Sequence, residues 1–176
     1  MPQNIGPADG PKRKAVVIGG GPAGLEAARV LAERGHTVTL FEAAPKLGGQ
    51  ARIGANASWR ADLIGVVDWR ASELERLGVA VLCNHVAEAH HVLAETPDIV
   101  IVATGGVPDL NGLEHATSVW DLLTGNAAVG EDVIVYDGTG SRLAGCRASV
   151  TAAYLSGRRQ LEPPRSRTVT ARTPRL

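Results

Sequence analysis

The sequence predicts an α/β fold in which a parallel sheet is wound with helices. Three observations predict it. Short apolar, β-branched runs recur along residues 14–136, separated by stretches with helical period. The run Gly19-Gly20-Gly21-Pro22-Ala23-Gly24 stands between the first strand-like run and the first helix-like one. An acid, Glu42, closes the second strand-like run. Strands apolar on both faces, alternating with helices, imply parallel pairing through right-handed crossovers.

The elements follow in order. Residues 14–19 (KAVVIG) read as a first strand buried on both faces. Residues 22–34 place Leu25, Ala28, Leu31 and Ala32 on one helical face, and Gly35 is a natural stop. Residues 36–42 (HTVTLFE) form the second strand. Ser58 is expected to cap a long helix over 60–77 that Gly78 ends. Residues 79–82, 98–103 and 132–136 supply the third, fourth and fifth strands, with a helix-like piece at 118–123 before the fifth.

Composition bounds the function classes. Apolar residues are 44% and charged residues 20%, enough for a buried core. Only six aromatic residues occur, so that core is built from Ala, Val, Leu and Ile. No apolar run approaches the ~20 residues of a membrane span, and residues 1–14 lack a signal-peptide core, so the expected compartment is the cytoplasm. Cys83 and Cys146 stand alone, which excludes a disulfide framework and a Cys-x-x-Cys site. The net charge of zero divides unevenly. Residues 1–141 carry 10 Lys and Arg against 17 Asp and Glu, whereas residues 142–176 carry 8 Arg and the single acid Glu162. Residues 1–12 read as a flexible linker and 156–176 as a basic disordered tail.

The glycine run fits Gly-x-Gly-x-x-Gly in the context its mechanism requires, leaving a strand and opening a helix. Gly19 permits the tight turn, Gly21 lets a pyrophosphate approach the backbone, and Gly24 lets helix and strand pack closely. The helix N-terminus offers free N–H groups and partial positive charge to phosphates. Glu42 lies 18 residues after Gly24, where a carboxylate accepts hydrogen bonds from an adenosine ribose and repels a 2′-phosphate. Residues 13–131 therefore read as a Rossmann-like dinucleotide-binding domain. Residues 132–155 read as the start of an incomplete second nucleotide-binding domain. There Gly138-Thr139-Gly140 follows a strand, but position 143 is Leu rather than Gly, and an ordinary turn is an equal reading.

Together with Leu47-Gly48-Gly49-Gln50 and Ala103-Thr104-Gly105-Gly106, the motif resembles the two-dinucleotide-binding-domain flavoprotein oxidoreductases. The likeness is strongest to the C-terminal part of Old Yellow Enzyme-like reductases of the 2,4-dienoyl-CoA reductase, trimethylamine dehydrogenase and N-methylproline demethylase type. It covers about residues 13–140. The resemblance implies that Gly19, Gly21, Pro22, Ala23 and Gly24 surround a pyrophosphate and that Glu42 holds the ribose. It also implies that Gly49, Gln50 and Arg52 lie along the flavin side, that Val86 meets adenine by its backbone, and that Ala103, Thr104 and Gly105 close the site. The implied cofactor is FAD or its ADP moiety, with NAD(P)H reached through the incomplete second domain. The implied partner is a separate flavin-carrying TIM-barrel domain or subunit.

The sequence departs from this family in three ways. No TIM-barrel segment precedes residue 13, only 45 residues follow Glu131, and the late Gly-Asp motif that contacts the flavin side has no match. No catalytic acid, base or nucleophile is evident, so the chain by itself is expected to be an inactive or incomplete oxidoreductase. Resemblance ends near Ser141, where the charge changes sign, as a shifted frame or truncated gene would produce.

Other candidates are weaker. His85, His90 and His91 lack a ligand spacing, so no metal is expected. Cys83 reads as a small buried hydrophobe of the third strand. Trp59 and Trp69, ten residues apart on one helix, are read as core packing or as docking to another domain, ahead of flavin stacking. The arginine-rich tail lacks interleaved aromatics and reads as solvated rather than nucleic-acid-binding. Two rivals stand beside the oxidoreductase reading: a non-catalytic ADP- or FAD-binding subunit that acts with a partner chain, and an inert remnant.

Overall fold

Four parallel strands carry the larger part of the chain: β1 (Lys14–Ile18), β2 (Thr37–Phe41), β3 (Ala80–Leu82) and β4 (Ile99–Val102). This computed structural model describes residues 5–110, 113 and 115–128. Two compact units divide the chain, one comprising residues 1–52 and 62–106, the other residues 53–61 and 107–176.

In the first unit the strand order is β3-β2-β1-β4. Val16 stands opposite Thr39 on one side and Val100 on the other. The central position of β1 explains its composition: Ala15, Val16 and Val17 are fully buried, which suits a strand flanked on both edges. Helix α1 (Pro22–Glu33) makes the crossover from β1 to β2. Pro22 sits at its first turn, where a missing N–H costs nothing, and Gly35 ends it at φ +92°. Leu25 and Ala28 face the sheet, and Leu31 and Ala32 pack against the same core. Helix α3 (Ile64–Arg76) lies beside α1 and adds Val67 and Leu74 to that core, which Val17, Val38 and Leu40 complete from the strands. On the other face, Val16 and Phe41 pack with Val92 of α4 (Ala89–Ala94).

The expected long helix over 60–77 is two pieces. A 3-10 segment (Ser58–Leu63) precedes α3, and Arg60 leaves helical geometry at φ −122°, ψ 15°. The apolar face that packs against the core begins at Ile64, and α3 begins with it. Gly78 ends α3 as expected, at φ +70°. The core-packing reading of the tryptophans is overturned: Trp59 and Trp69 are about half exposed. The Arg60 guanidinium lies 4.4 Å from the Trp59 ring, and those of Arg29 and Arg70 lie 5.4 and 5.6 Å from the Trp69 ring. Cys83 is half-buried and follows β3 rather than lying within it, because pairing with β2 ends at Leu82.

In the second unit, helix α5 (Val119–Thr124) starts at Ser118, whose hydroxyl accepts from Asp121 N–H at 3.1 Å. Gly125 closes it at φ +80°. Leu123 and Ala57 are buried together, with Ile53 and Val119 packed against them. Asn56 Nδ2 donates to the Leu123 carbonyl at 3.0 Å. Helices α2 (Gly49–Ala55) and α4 were not foreseen. The expected fifth strand and the basic tail lie outside the described residues.

Candidate nucleotide site

The loops at the carboxyl ends of all four strands gather the sequence-predicted residues at one edge of the sheet, where parallel α/β sheets bind ligands. The turn after β1 is packed so tightly that glycine is obligatory at two positions. A Cβ on Gly24 would overlap the Gly19 carbonyl oxygen, and one on Gly19 would overlap the Ala103 carbonyl. Gly19 also adopts φ +106°, which side-chain-bearing residues rarely take. Gly21 is different. A Cβ there would meet nothing within 4 Å, and its φ of −72° and ψ of 176° suit any residue. The space above Gly21 is open, as pyrophosphate approach requires.

Gly21 caps α1 without a side-chain hydrogen bond, and no acid lies in the first turn. Pro22 and Ala23 are exposed there, so the positive end of a twelve-residue helix faces open space. Glu42 directly follows β2 and is half-buried. Its Oε2 accepts from Gly20 N–H at 2.6 Å and its Oε1 from Ala44 N–H at 2.7 Å. Each oxygen keeps further lone pairs, so the carboxylate is oriented in advance and can still accept from ribose hydroxyls.

The remaining residues close around this turn. Gly48 N–H donates to the Gly20 carbonyl at 2.8 Å, which lays the loop after β2 over the glycine turn. Gly49, at φ +48°, stands against Gly21, since a Cβ on it would come within 3.3 Å of the Gly21 Cα. Gln50 Nε2 donates to the Gly106 carbonyl at 2.8 Å, tying the start of α2 to the loop that Ala103, Thr104 and Gly105 form after β4. Arg52 Nε donates to the Leu47 carbonyl at 2.7 Å, which holds its stem along its own loop. Val86 is exposed beyond β3, and that loop is tied to β2 through His85 N–H and the Glu42 carbonyl at 2.9 Å.

Sequence reasoning missed Gly20. Its position is a free one in the Gly-x-Gly-x-x-Gly pattern, yet a Cβ there would press on Leu47 Cδ2 at 2.5 Å and Glu42 Oε2 at 2.9 Å. Glycine at this point is what lets the carboxylate reach the backbone. Ala44 was also missed, and Leu47 and Gly106 stood in the motifs without a role, because they act through backbone atoms or packing. The histidines meet ring to ring: His85 lies edge-on to His91 at 4.4 Å and tilted against Phe41 at 4.8 Å, and His90 lies tilted against His91 at 3.9 Å.

A family model for the NAD(P)-binding Rossmann-like domain matches residues 17–77. The multifunctional alkene reductase/demethylase OYE of Caballeronia cordobensis is 54% identical over 131 residues, 73% of this chain and 19% of that protein. The probable N-methylproline demethylase of Rhizobium meliloti (strain 1021) is 47% identical over 148 residues, 82% of this chain and 22% of that protein. The solved structure of 2-naphthoyl-CoA reductase with 2-naphthoyl-CoA superposes with a TM-score of 0.76 at 31% identity, over 88% of this chain and 23% of that one. The chain spans about a fifth of the length of the curated relatives it matches.

Proposed function

Because the chain belongs to the flavin-dependent oxidoreductases through its NAD(P)-binding Rossmann-like domain, we propose that residues 13–131 hold the adenosine diphosphate half of FAD. One observation carries the reading: the open space over Gly21 at the N-terminus of α1, flanked by a Glu42 carboxylate already oriented by two backbone N–H groups. Gly19, Gly21, Pro22, Ala23 and Gly24 receive the pyrophosphate, and Glu42 the ribose. Val86 borders the adenine, while Gly49, Gln50, Arg52, Ala103, Thr104 and Gly105 border the part of the cofactor beyond the phosphates. The Glu42 charge favours an adenosine without a 2′-phosphate.

When bound, the flavin supplies the redox chemistry, and the chain supplies position and electrostatics. The chain works beside a further domain or subunit that carries the substrate site, and the segment that begins at Asp132 would contribute to holding NAD(P)H. The proposed compartment is the cytoplasm; among the described residues no helix is long and apolar enough to cross a membrane.

The test is the absorbance spectrum of the purified chain with and without added FAD, followed by titration with NADH and ADP. Bound flavin that NADH reduces supports an oxidoreductase portion. Binding of ADP without flavin supports the rival, a non-catalytic nucleotide-binding subunit. Absence of any nucleotide binding overturns the proposal and leaves an inert remnant.

A further inference from the structure

A further feature lies at the end of the sheet opposite the nucleotide site. A hollow of about 280 Å³ opens at the amino ends of the strands, and Asp9, Pro11, Arg13, Arg34, His36 and Ile99 are among the residues that line it. Arg13 precedes β1, Arg34 follows α1, His36 precedes β2 and Ile99 opens β4. A five-residue strand at ~3.3 Å per residue separates it from the glycine turn, roughly 16 Å away. The backbone builds the hollow. Ala8 N–H donates to the Arg34 carbonyl at 3.1 Å, folding the chain before β1 back over the end of α1. Arg13 N–H donates to His36 Nδ1 at 3.2 Å.

That last bond decides the histidine's chemistry. With Nδ1 accepting, the neutral ring carries its proton on Nε2, which is left as a donor. The arginines are also distinctive. Arg29, Arg70 and Arg76 are each paired with a glutamate at 2.7–2.9 Å, whereas among the described residues Arg13 and Arg34 have no ion-pair or side-chain hydrogen-bond partner. Of the nearby charges, Lys14 is paired with Glu95, while Asp98 accepts only from the Lys14 backbone N–H and keeps its charge, so Asp9 and Asp98 are the acids that face the two guanidiniums. Guanidinium forks and an imidazole N–H match the oxygens of a carboxylate or phosphate. Pro11 and Ile99 give the hollow an apolar wall.

We propose that this hollow is a binding site for a small anion that presents a phosphate or carboxylate group on a compact apolar body. It is separate from the nucleotide site and serves ligand recognition rather than redox chemistry.

The experiment is calorimetric titration of the full chain at low salt with phenyl phosphate and, separately, with benzoate. Saturable single-site binding of either probe is expected, and the tighter one identifies the oxyanion. Arg13→Ala and Arg34→Ala should each weaken it at least tenfold, the scale of a lost charged hydrogen bond. Lys12→Ala, which removes a neighbouring charge outside the lining, should leave it within twofold. The His36 ring resonances should shift on binding. ADP affinity should be unchanged in all three variants, so loss of nucleotide binding and loss of this site are read separately. No saturable binding of either probe, binding retained in the Arg13→Ala/Arg34→Ala double variant, or equal weakening by Lys12→Ala would overturn the proposal. Neither arginine side chain holds another element, so both variants should fold, which their melting curves check.

Discussion

Gly21 and Gly24 stand three residues apart in one motif, and the structure assigns them opposite vulnerabilities. Gly24→Ala places a methyl group on the Gly19 carbonyl oxygen, and 3.4 Å from the Ala103 Cβ. The obstacle is backbone, so β1 and α1 must separate. Overpacking of this kind costs about 1–3 kcal/mol, or roughly 5–20 °C of melting temperature for a domain of this size. Gly21→Ala places its methyl group in open space on a backbone any residue adopts. Losing glycine at the cap costs about 0.5–1 kcal/mol, and the stiffer unfolded chain returns about 0.4–1 kcal/mol. The net change in stability is within about 0.5 kcal/mol. That methyl group nevertheless occupies the path of the proposed pyrophosphate. Losing about two charged hydrogen bonds from the α1 N-terminus removes about 3 kcal/mol, more than a hundredfold in affinity. Thermal melting paired with ADP calorimetry reads both quantities. An unaltered ADP affinity in Gly21→Ala, or wild-type melting of Gly24→Ala, would refute the reasoning.

Three further outcomes are expected. Glu42→Ala removes the acceptor of Gly20 and Ala44 N–H as well as the proposed ribose contact, so stability and ADP affinity should each fall by about 1–3 kcal/mol; intact affinity would count against the site. The hydrogen bond from Arg29, opposed by burial and aided by the charges of Arg29 and Arg70, holds the Glu26 carboxyl below its usual 4.5. Its contribution is therefore complete above pH 4.5 and lost as pH falls through the lowered folded value. With Glu26 more than a third exposed, that contribution is below about 1 kcal/mol, and Glu26→Gln should flatten this part of the acid limb of a melting-temperature profile. Ser118→Ala removes the α5 cap and should cost about 1 kcal/mol, read by denaturant unfolding.

Where local chemistry sufficed, residues were legible before the structure. The β1–turn–α1 unit, its glycine stop and the acid after β2 all follow from periodicity and turn chemistry within about thirty residues. Helices α2 and α4 were not legible, because seven and six residues make too few turns to show a period. The long helix over 60–77 failed for the converse reason. Trp59 and Trp69 continue an apparent period across Arg60, but packing against α1 supports only Ile64–Arg76.

The sequence by itself determined that strands would pair in parallel, that the turn after β1 would need glycine, and that an acid would stand beside it. Only the tertiary structure showed which neighbours make each glycine necessary, and that the space over Gly21 is open. Gly19 is pinned by the carbonyl of Ala103, which follows a strand some eighty residues away, and Gly24 by the Gly19 carbonyl oxygen across the turn, while a Cβ on Gly21 would meet nothing within 4 Å. Gly20 is required by Glu42 and Leu47, which the chain brings back only through the β2 crossover. Periodicity and turn preference are properties of consecutive residues. The close approach of Ala103 to Gly19, and of Glu42 and Leu47 to Gly20, is set by how distant segments pack, which consecutive residues do not show.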